Sequence, residues 1–326
     1  MSELTGLGEV VDRVPLDGHA GKSGAGLERV RTADGTSYVV KRVTAESDLL
    51  HSLLGGGPAR EYLLWRDGAL DRLPPGVRHA VVGGWCEDDA TVIVMRDLGD
   101  RVLGWEDHLS PGQTRWMIRR VAALHRAFLD DPPRAVVPLE SVLDVFAPHR
   151  IGAVEDGGNP IPALALRGWA LFDDLVPREV ADLVQVILAD ARPYAAALRD
   201  AGPSTLVHGD LATVNMAFDG DDLVLLDWAM PAVAPGILDI ARFIAGCSSV
   251  VALSREEVIA AYRDAAGPAY DEAATRLALV FGLAWLGWNK ALDAVDHPDP
   301  AMRARERDDL DWWVAQARTT LESGVL

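Results

Sequence analysis

Residues 206–231 read LVHGDLATVNMAFDGDDLVLLDWAMP, in which two short apolar runs, 214–218 and 223–226, flank Asp219-Gly220-Asp221-Asp222. Asp and Gly accept the backbone angles of a tight two-residue loop at little cost, so this stretch predicts a β-hairpin. With the turn centred between Gly220 and Asp221, antiparallel pairing sets Asn215 opposite Leu226 and leaves Asp227 next to it. An amide and a carboxylate thus meet at the open end of the hairpin, with Asp210 on the loop just before it. The segment interrupts a half of the chain that otherwise reads as helix, and it constrains the fold more than any other.

The first hundred residues carry strand-like runs at 27–31, 37–43 and 90–95, with turn chemistry at Asp34-Gly35. From Pro111 a helical rhythm takes over in Met117, Ile118, Val121, Leu124 and Phe128, and Ser110 with Gln113 three positions on predicts a capping box. Further helices are expected over 178–199, 255–266, 277–294 and 303–321. The fold class is therefore α+β with two lobes: a small β-rich lobe over residues 1–99 and a larger α-helical lobe over 100–326, divided near Asp97-Leu98-Gly99-Asp100. A chain of 326 residues, 49% hydrophobic, has the material for two such cores.

Composition excludes several classes of partner. Lys plus Arg number 31 against 49 Asp plus Glu, a net charge of −18 with no long basic run, so nucleic acid is not an expected partner. Cys86 and Cys247 stand far apart without metal-site spacing, which fits a reducing cytoplasm and no disulfide framework. The first residues lack a basic-then-apolar leader, and the longest apolar run, 277–288, is too short to span a bilayer, so no membrane insertion is expected.

Two carboxylates and an amide oxygen are hard ligands. Mg²⁺ prefers such oxygens, takes one or two carboxylates from a protein and completes its octahedron with water and substrate phosphates. A ligand pair with a further carboxylate beside it is what phosphoryl transfer needs. Asp and Asn also populate turns for purely conformational reasons, but the ordered set of Asp210, Asn215, hairpin and Asp227 goes beyond that.

His208-Gly209-Asp210 followed by Asn215, with Asp227-Trp228 downstream, resembles the aminoglycoside phosphotransferase and choline kinase family, which has the protein-kinase-like fold. The resemblance implies a small-molecule kinase that moves the γ-phosphate of ATP or GTP onto a hydroxyl of an aminoglycoside-like antibiotic, a sugar or a related polyol. It gives Asp210 the role of accepting or orienting that hydroxyl, and Asn215 and Asp227 the role of Mg²⁺ ligands. An aspartate of pKa about 3.9 is a weak base for an alcohol, so the role implied for Asp210 is chiefly aim.

Upstream, Lys41 in Ser37-Tyr38-Val39-Val40-Lys41-Arg42-Val43 resembles the family lysine that pairs with nucleotide phosphates. Lys41 and Arg42 face opposite sides of a strand, so only one can reach the nucleotide. The glutamate that holds this lysine in the family has Glu61 as its first candidate and Glu46 as the alternative. Residues 91–98, TVIVMRDL, resemble the segment that holds adenine, with Arg96 and Leu98 offering a carbonyl and an N–H. The glycine-rich stretch 18–26 occupies the place of the phosphate-covering loop. Its Gly-Lys-Ser is not a Walker A motif, since Leu16 stands where the first glycine is required. Asp239 resembles the aspartate that braces the catalytic loop, with a first-turn acid favoured by the helix dipole as the alternative. His208 reads as a hydrogen-bonded structural residue.

The acceptor site is expected in residues 136–177 and in the helices after Asp227. Trp285, Trp288, Trp312 and Trp313 offer stacking surface, although aromatic residues at helical spacing more often fill core. Asp308, Asp309 and Asp311 offer carboxylates to a cationic acceptor, or form a solvated helix face. Kinases for choline- or homoserine-like metabolites are alternatives within the family. A nucleotide-binding pseudokinase or scaffold without turnover is an alternative of another class; it requires damage at Lys41, Asp210, Asn215 or Asp227, and all four are intact. A metal-dependent hydrolase has no use for Lys41, and a serine hydrolase lacks its GxSxG elbow.

Overall fold

The computed structural model describes residues 7–16, 24–154 and 158–324. In chain order its main elements are β1 (Val10–Pro15), β2 (Gly26–Thr32), β3 (Ser37–Thr44), α1 (Leu49–Leu53), α2 (Arg60–Arg66), β4 (Val77–His79), β5 (Val81–Cys86) and β6 (Ala90–Arg96). Then follow α3 (Pro111–Ala127), α4 (Leu139–Leu143), α5 (Pro148–Ile151), α6 (Ile161–Leu175), α7 (Arg178–Ala189), α8 (Arg192–Ala201) and β7 (Ser204–Val207). The chain continues through β8 (Met216–Asp219), β9 (Asp222–Leu225), β10 (Ala232–Pro235), α9 (Ile237–Cys247), α10 (Arg255–Ala266), α11 (Glu272–Asp296) and α12 (Pro300–Ser323). These elements form two compact units, Met1–Trp105 with Thr213–Ala229 and Glu106–Ala212 with Met230–Leu326.

The first unit is built on an antiparallel sheet in the order β1-β2-β3-β6-β5. Alternation puts Val30, Val40, Val92 and Val94 into one buried cluster. The predicted hairpin is present as β8 and β9, with Asp219 opposite Asp222 and Gly220 at φ +63° in the turn. Its register carries through to the open end, where the Leu226 N–H donates to the Asn215 carbonyl at 2.9 Å. The hairpin is tied to this unit by parallel pairing of β9 with β4 and by the Leu103 N–H donating to the Met216 carbonyl at 2.9 Å. The structural division therefore differs from a single cut after residue 99. It falls after Trp105, and the hairpin segment returns to the β-rich unit because β4 offers it a strand edge.

The second unit is helical, apart from the antiparallel pair β7 and β10. Helix α3 begins at the expected capping box, the Ser110 hydroxyl accepting from the Gln113 N–H while the Gln113 side chain accepts from the Ser110 N–H. The expected helix 178–199 is two helices, α7 and α8. Pro193 has no N–H to give the carbonyl of Ala189, and Asp190 ends α7 and accepts from the Arg192 N–H at 3.1 Å. Helix α11 packs against α6, α9 and α12. No helix among the described residues is long and apolar enough to cross a membrane.

The approach of α6 to α11 depends on Gly168, where a Cβ would fall far inside van der Waals contact with the Trp288 carbonyl. Backbone on both sides leaves no flexible tip to move aside, so Gly168→Ala should destabilise the protein by about 1–3 kcal/mol. In a thermal melt this is a fall in Tm of roughly 2–4 °C per kcal/mol, and an unchanged melt would refute the packing argument.

Candidate active site

In the first unit Lys41 lies on β3 between Leu27 of β2 and Ile93 of β6, with its side chain only 9% exposed. Arg42 takes the opposite face, is exposed and pairs with Glu87. Burial of an ammonium is unfavourable unless it is paired. Lys41 Nζ donates to Asp227 Oδ1 at 2.6 Å and lies 3.5 Å from Glu61 Oε2. Desolvation works to lower the lysine pKa, but the charges of Asp227, Glu61 and Asp48 outweigh it and hold it above its ordinary value. Glu61 is buried on α2, whereas the alternative partner, Glu46, is exposed. Lys41 also lines a pocket with Val43, Asp48, His51, Glu61 and Ile93.

Asp227 has φ +58°, the one non-glycine residue with a left-handed backbone among the described residues. That conformation costs an L-residue roughly 1–2 kcal/mol, though Asp tolerates it better than most, and such strain concentrates at functional sites. The hairpin register places Asp227 one residue beyond the Leu226–Asn215 bond, so the amide oxygen of Asn215 and the carboxylate of Asp227 belong to one end of one hairpin. Among the described residues no cluster of three His, Cys, Asp or Glu side chains is assembled to hold a metal. One carboxylate with one amide oxygen instead fits a hard ion that keeps water and phosphate in its shell, as Mg²⁺ does.

At the expected adenine-holding segment, the Arg96 N–H donates to the Ala80 carbonyl at 2.8 Å and its exposed guanidinium lies 3.4 Å from Asp219. Leu98 is buried, and its carbonyl accepts from the Arg101 side chain at 2.9 Å. Most of the glycine-rich stretch, residues 18–23, lies outside the described residues. Gly24, just past it, has φ +98° and no room for a Cβ against the Ser47 carbonyl.

In the second unit Asp210 sits on the loop after β7. Gly209 has φ +83° and lies so close to the Met230 carbonyl that any Cβ would collide with it. The loop is held from α9: Asp239, fully buried, accepts from the His208 N–H and the Gly209 N–H, each at 2.8 Å. Its third partner is His125 Nε2 at 3.1 Å, and His125 Nδ1 lies 2.8 Å from the Tyr262 hydroxyl. Burial opposes the charge on Asp239, yet the hydrogen bond and charge of His125, with His208, hold its pKa below the ordinary carboxylate value. Three donors on one buried carboxylate go beyond what a first-turn acid needs. His208 is buried as expected, its Nδ1 accepting from the Asp210 N–H at 3.3 Å.

The Asp210 carboxylate is gripped by Arg242 of α9, whose Nε and Nη2 reach Oδ1 at 2.9 and 2.7 Å. The guanidinium carbon stands 5.2 Å from the Trp285 ring centre. Sequence reasoning does not single out Arg242, His125 or Tyr262. A lone cation in the apolar run of α9, three positions after Asp239 and so on the same helix face, is the signal that could have found Arg242. On the expected acceptor side, Trp285, Trp288 and Trp313 are core residues. Asp309 is buried and neutralised by Lys290 at 2.6 Å and by Arg255, while Asp308 and Asp311 are exposed.

The sequence matches the model of the phosphotransferase enzyme family over residues 29–276, well over half of the chain. No curated protein matches it. Among solved structures, choline kinase LicA from Streptococcus pneumoniae is similar with a TM-score of 0.54 at 13% identity, covering 94% of each chain. The GDP and kanamycin complex of APH(2")-IIia gives 0.51 at 12% identity, covering 97% of this chain and 95% of that one. Amicoumacin kinase hAmiN, in complex with AMP-PNP, Ca²⁺ and Ami, gives 0.50 at 11% identity over 93% and 88%. At these identities the likeness shows the fold, and it is the expected protein-kinase-like one.

Asp239→Ala removes the acceptor for two buried backbone N–H groups and should cost about 3–5 kcal/mol in chemical denaturation. Because the folded pKa of Asp239 lies below its unfolded value, its ionised form stabilises the fold above about pH 4 and loses that effect as pH falls further. The stability gap between wild type and Asp239→Asn should therefore hold from neutral pH to about pH 5 and close below about pH 4. A gap that widens on acidification would contradict the assignment.

Proposed function

This chain belongs to the phosphotransferase enzyme family, and we propose that it transfers the γ-phosphate of ATP or GTP to a hydroxyl of an aminoglycoside-like antibiotic, a sugar or a related polyol. The observation that carries the proposal is Lys41, a buried cation between Glu61 and the left-handed Asp227, one residue beyond the Asn215–Leu226 pair. A nucleotide phosphate is the natural third anion for that lysine. Asn215 and Asp227 would hold Mg²⁺, which would supply positive charge against the negative charge of the phosphates. The backbone of Arg96 and Leu98 receives the base.

Asp210 is the residue that orients the acceptor hydroxyl. In phosphoryl transfer through a loose transition state, aim and charge placement outweigh early proton abstraction. A carboxylate fixed by a two-nitrogen fork on Oδ1 and by a braced backbone suits that role. Among the carboxylates of α12, Asp309 and Glu306 do not strengthen the case for a polycationic acceptor, since both already hold Lys290.

Calorimetry with ATP and GTP in the presence of Mg²⁺ should detect binding of at least one nucleotide; binding of neither would defeat the proposal. Asp210→Asn should keep nucleotide affinity and lower transfer by roughly 10²–10⁴, and unchanged transfer would mean that another residue acts. The acceptor is found by mass spectrometry for gain of a phosphoryl group over a panel of kanamycin, amicoumacin, choline and simple sugars.

A further inference from the structure

Arg242 is the one basic residue of α9, and its side chain is 8% exposed. Two of its nitrogens, Nε and Nη2, are engaged with Asp210. The third, Nη1, is buried and has no hydrogen-bond partner among the described residues. It lies one helical turn on, against Gly246: a Cβ built there would fall far inside van der Waals contact with Nη1, and the nearest atoms after it are also guanidinium atoms. Gly246 does not have a positive φ, so its backbone does not call for glycine. Glycine inside a helix is also disfavoured relative to alanine. What the position supplies is space.

We propose that Gly246 is a positioning residue for phosphoryl transfer: its bare Cα forms the slot in which the Arg242 guanidinium lies, and the slot aims the Asp210 carboxylate. The inference rests on the assignment of Asp210 as the hydroxyl-orienting residue. The Trp285 ring lies against the same guanidinium at 5.2 Å. A methyl at position 246 therefore displaces a group that is held at both its fork and its face. The tip of a flexible side chain moves more easily than backbone, so the fold survives while the fork shifts.

The test compares wild type with Gly246→Ala, Arg242→Lys and the double variant. Lysine keeps a cation for Asp210 but has no nitrogen in the place of Nη1, so the methyl introduced by Gly246→Ala meets nothing there. Crystal structures read the geometry without any acceptor: in Gly246→Ala the Nη2–Oδ1 distance should lengthen from 2.7 Å to beyond hydrogen-bonding range. With water as the acceptor and phosphate release from ATP or GTP as the readout, Gly246→Ala should lower kcat by roughly 10–100-fold and leave the nucleotide KM in place. The double variant should match Arg242→Lys within about twofold, since the two changes act on one contact. An unmoved fork in Gly246→Ala, or losses that multiply in the double variant, overturns the proposal. If Gly246→Ala fails to fold while the double variant folds, the collision with Arg242 is supported; failure of both sinks it. Asp210→Ala run alongside separates the two assignments. Unchanged phosphate release there removes Asp210 from the reaction, whereas an unmoved fork removes only the slot.

Discussion

The helical unit is organised around one buried carboxylate. Asp239 cannot remain charged in an apolar interior without donors, and it finds three: two successive backbone N–H groups of the loop that carries Asp210, and His125 from α3. His125 in turn meets Tyr262 of α10, and Gly236 leaves the room that both side chains occupy. The loop is thus fixed by three helices rather than by its own local structure. Helix α9 does this twice, since Arg242 follows Asp239 by three positions and takes hold of the Asp210 side chain. The backbone just before Asp210 and the side chain of Asp210 are thus set from one rigid element.

The β-rich unit solves the same problem with the opposite sign. There the buried charge is a lysine, and the carboxylates that sustain it come from α2 and from the end of the hairpin. A buried ion pair is weak evidence of stability, because desolvation offsets much of the attraction. Its contribution is better described as placement: Lys41 stays charged and pointed only while Glu61 and Asp227 are where they are. The left-handed backbone of Asp227 belongs to this arrangement, a local cost accepted where the carboxylate must turn toward the lysine.

How much of this is legible in the sequence follows from how local each signal is. The hairpin register can be read because Asp-Gly-Asp-Asp fixes both the turn and the parity of every pair up to Asn215 and Leu226. Lys41 can be read because strand alternation sends Lys41 and Arg42 to opposite faces. The break between α7 and α8 is hidden because Val180, Val184, Ile187, Ala191, Tyr194 and Leu198 keep one unbroken helical rhythm across it. Periodicity is blind to a missing N–H at Pro193. The unit to which the hairpin belongs is not legible either, since that depends on the three residues of β4, more than a hundred positions upstream. Arg242 stands out only as the one cation of an apolar helix, and His125 only as a polar residue on the buried face of α3; that such a residue needs a partner is predictable, but which partner is decided by the packing.

Charge counting is the least transferable part of the sequence argument. The surplus of acids invites the assignment of some of them to a cationic ligand. In the helical unit, however, Glu306 and Asp309 are engaged by Lys290, a buried cation whose pKa they hold up against the effect of burial, and Asp309 is also held by Arg255. Offering either carboxylate to an ammonium group of a ligand strips Lys290 of one of its two partners, and offering both leaves it unpaired in the interior, which costs about 3–5 kcal/mol. The charge that faces Asp210 is likewise internal, a guanidinium backed by an indole ring. Acids of this kind set the shape of the helical unit first, and that shape, rather than their number, is what an acceptor meets.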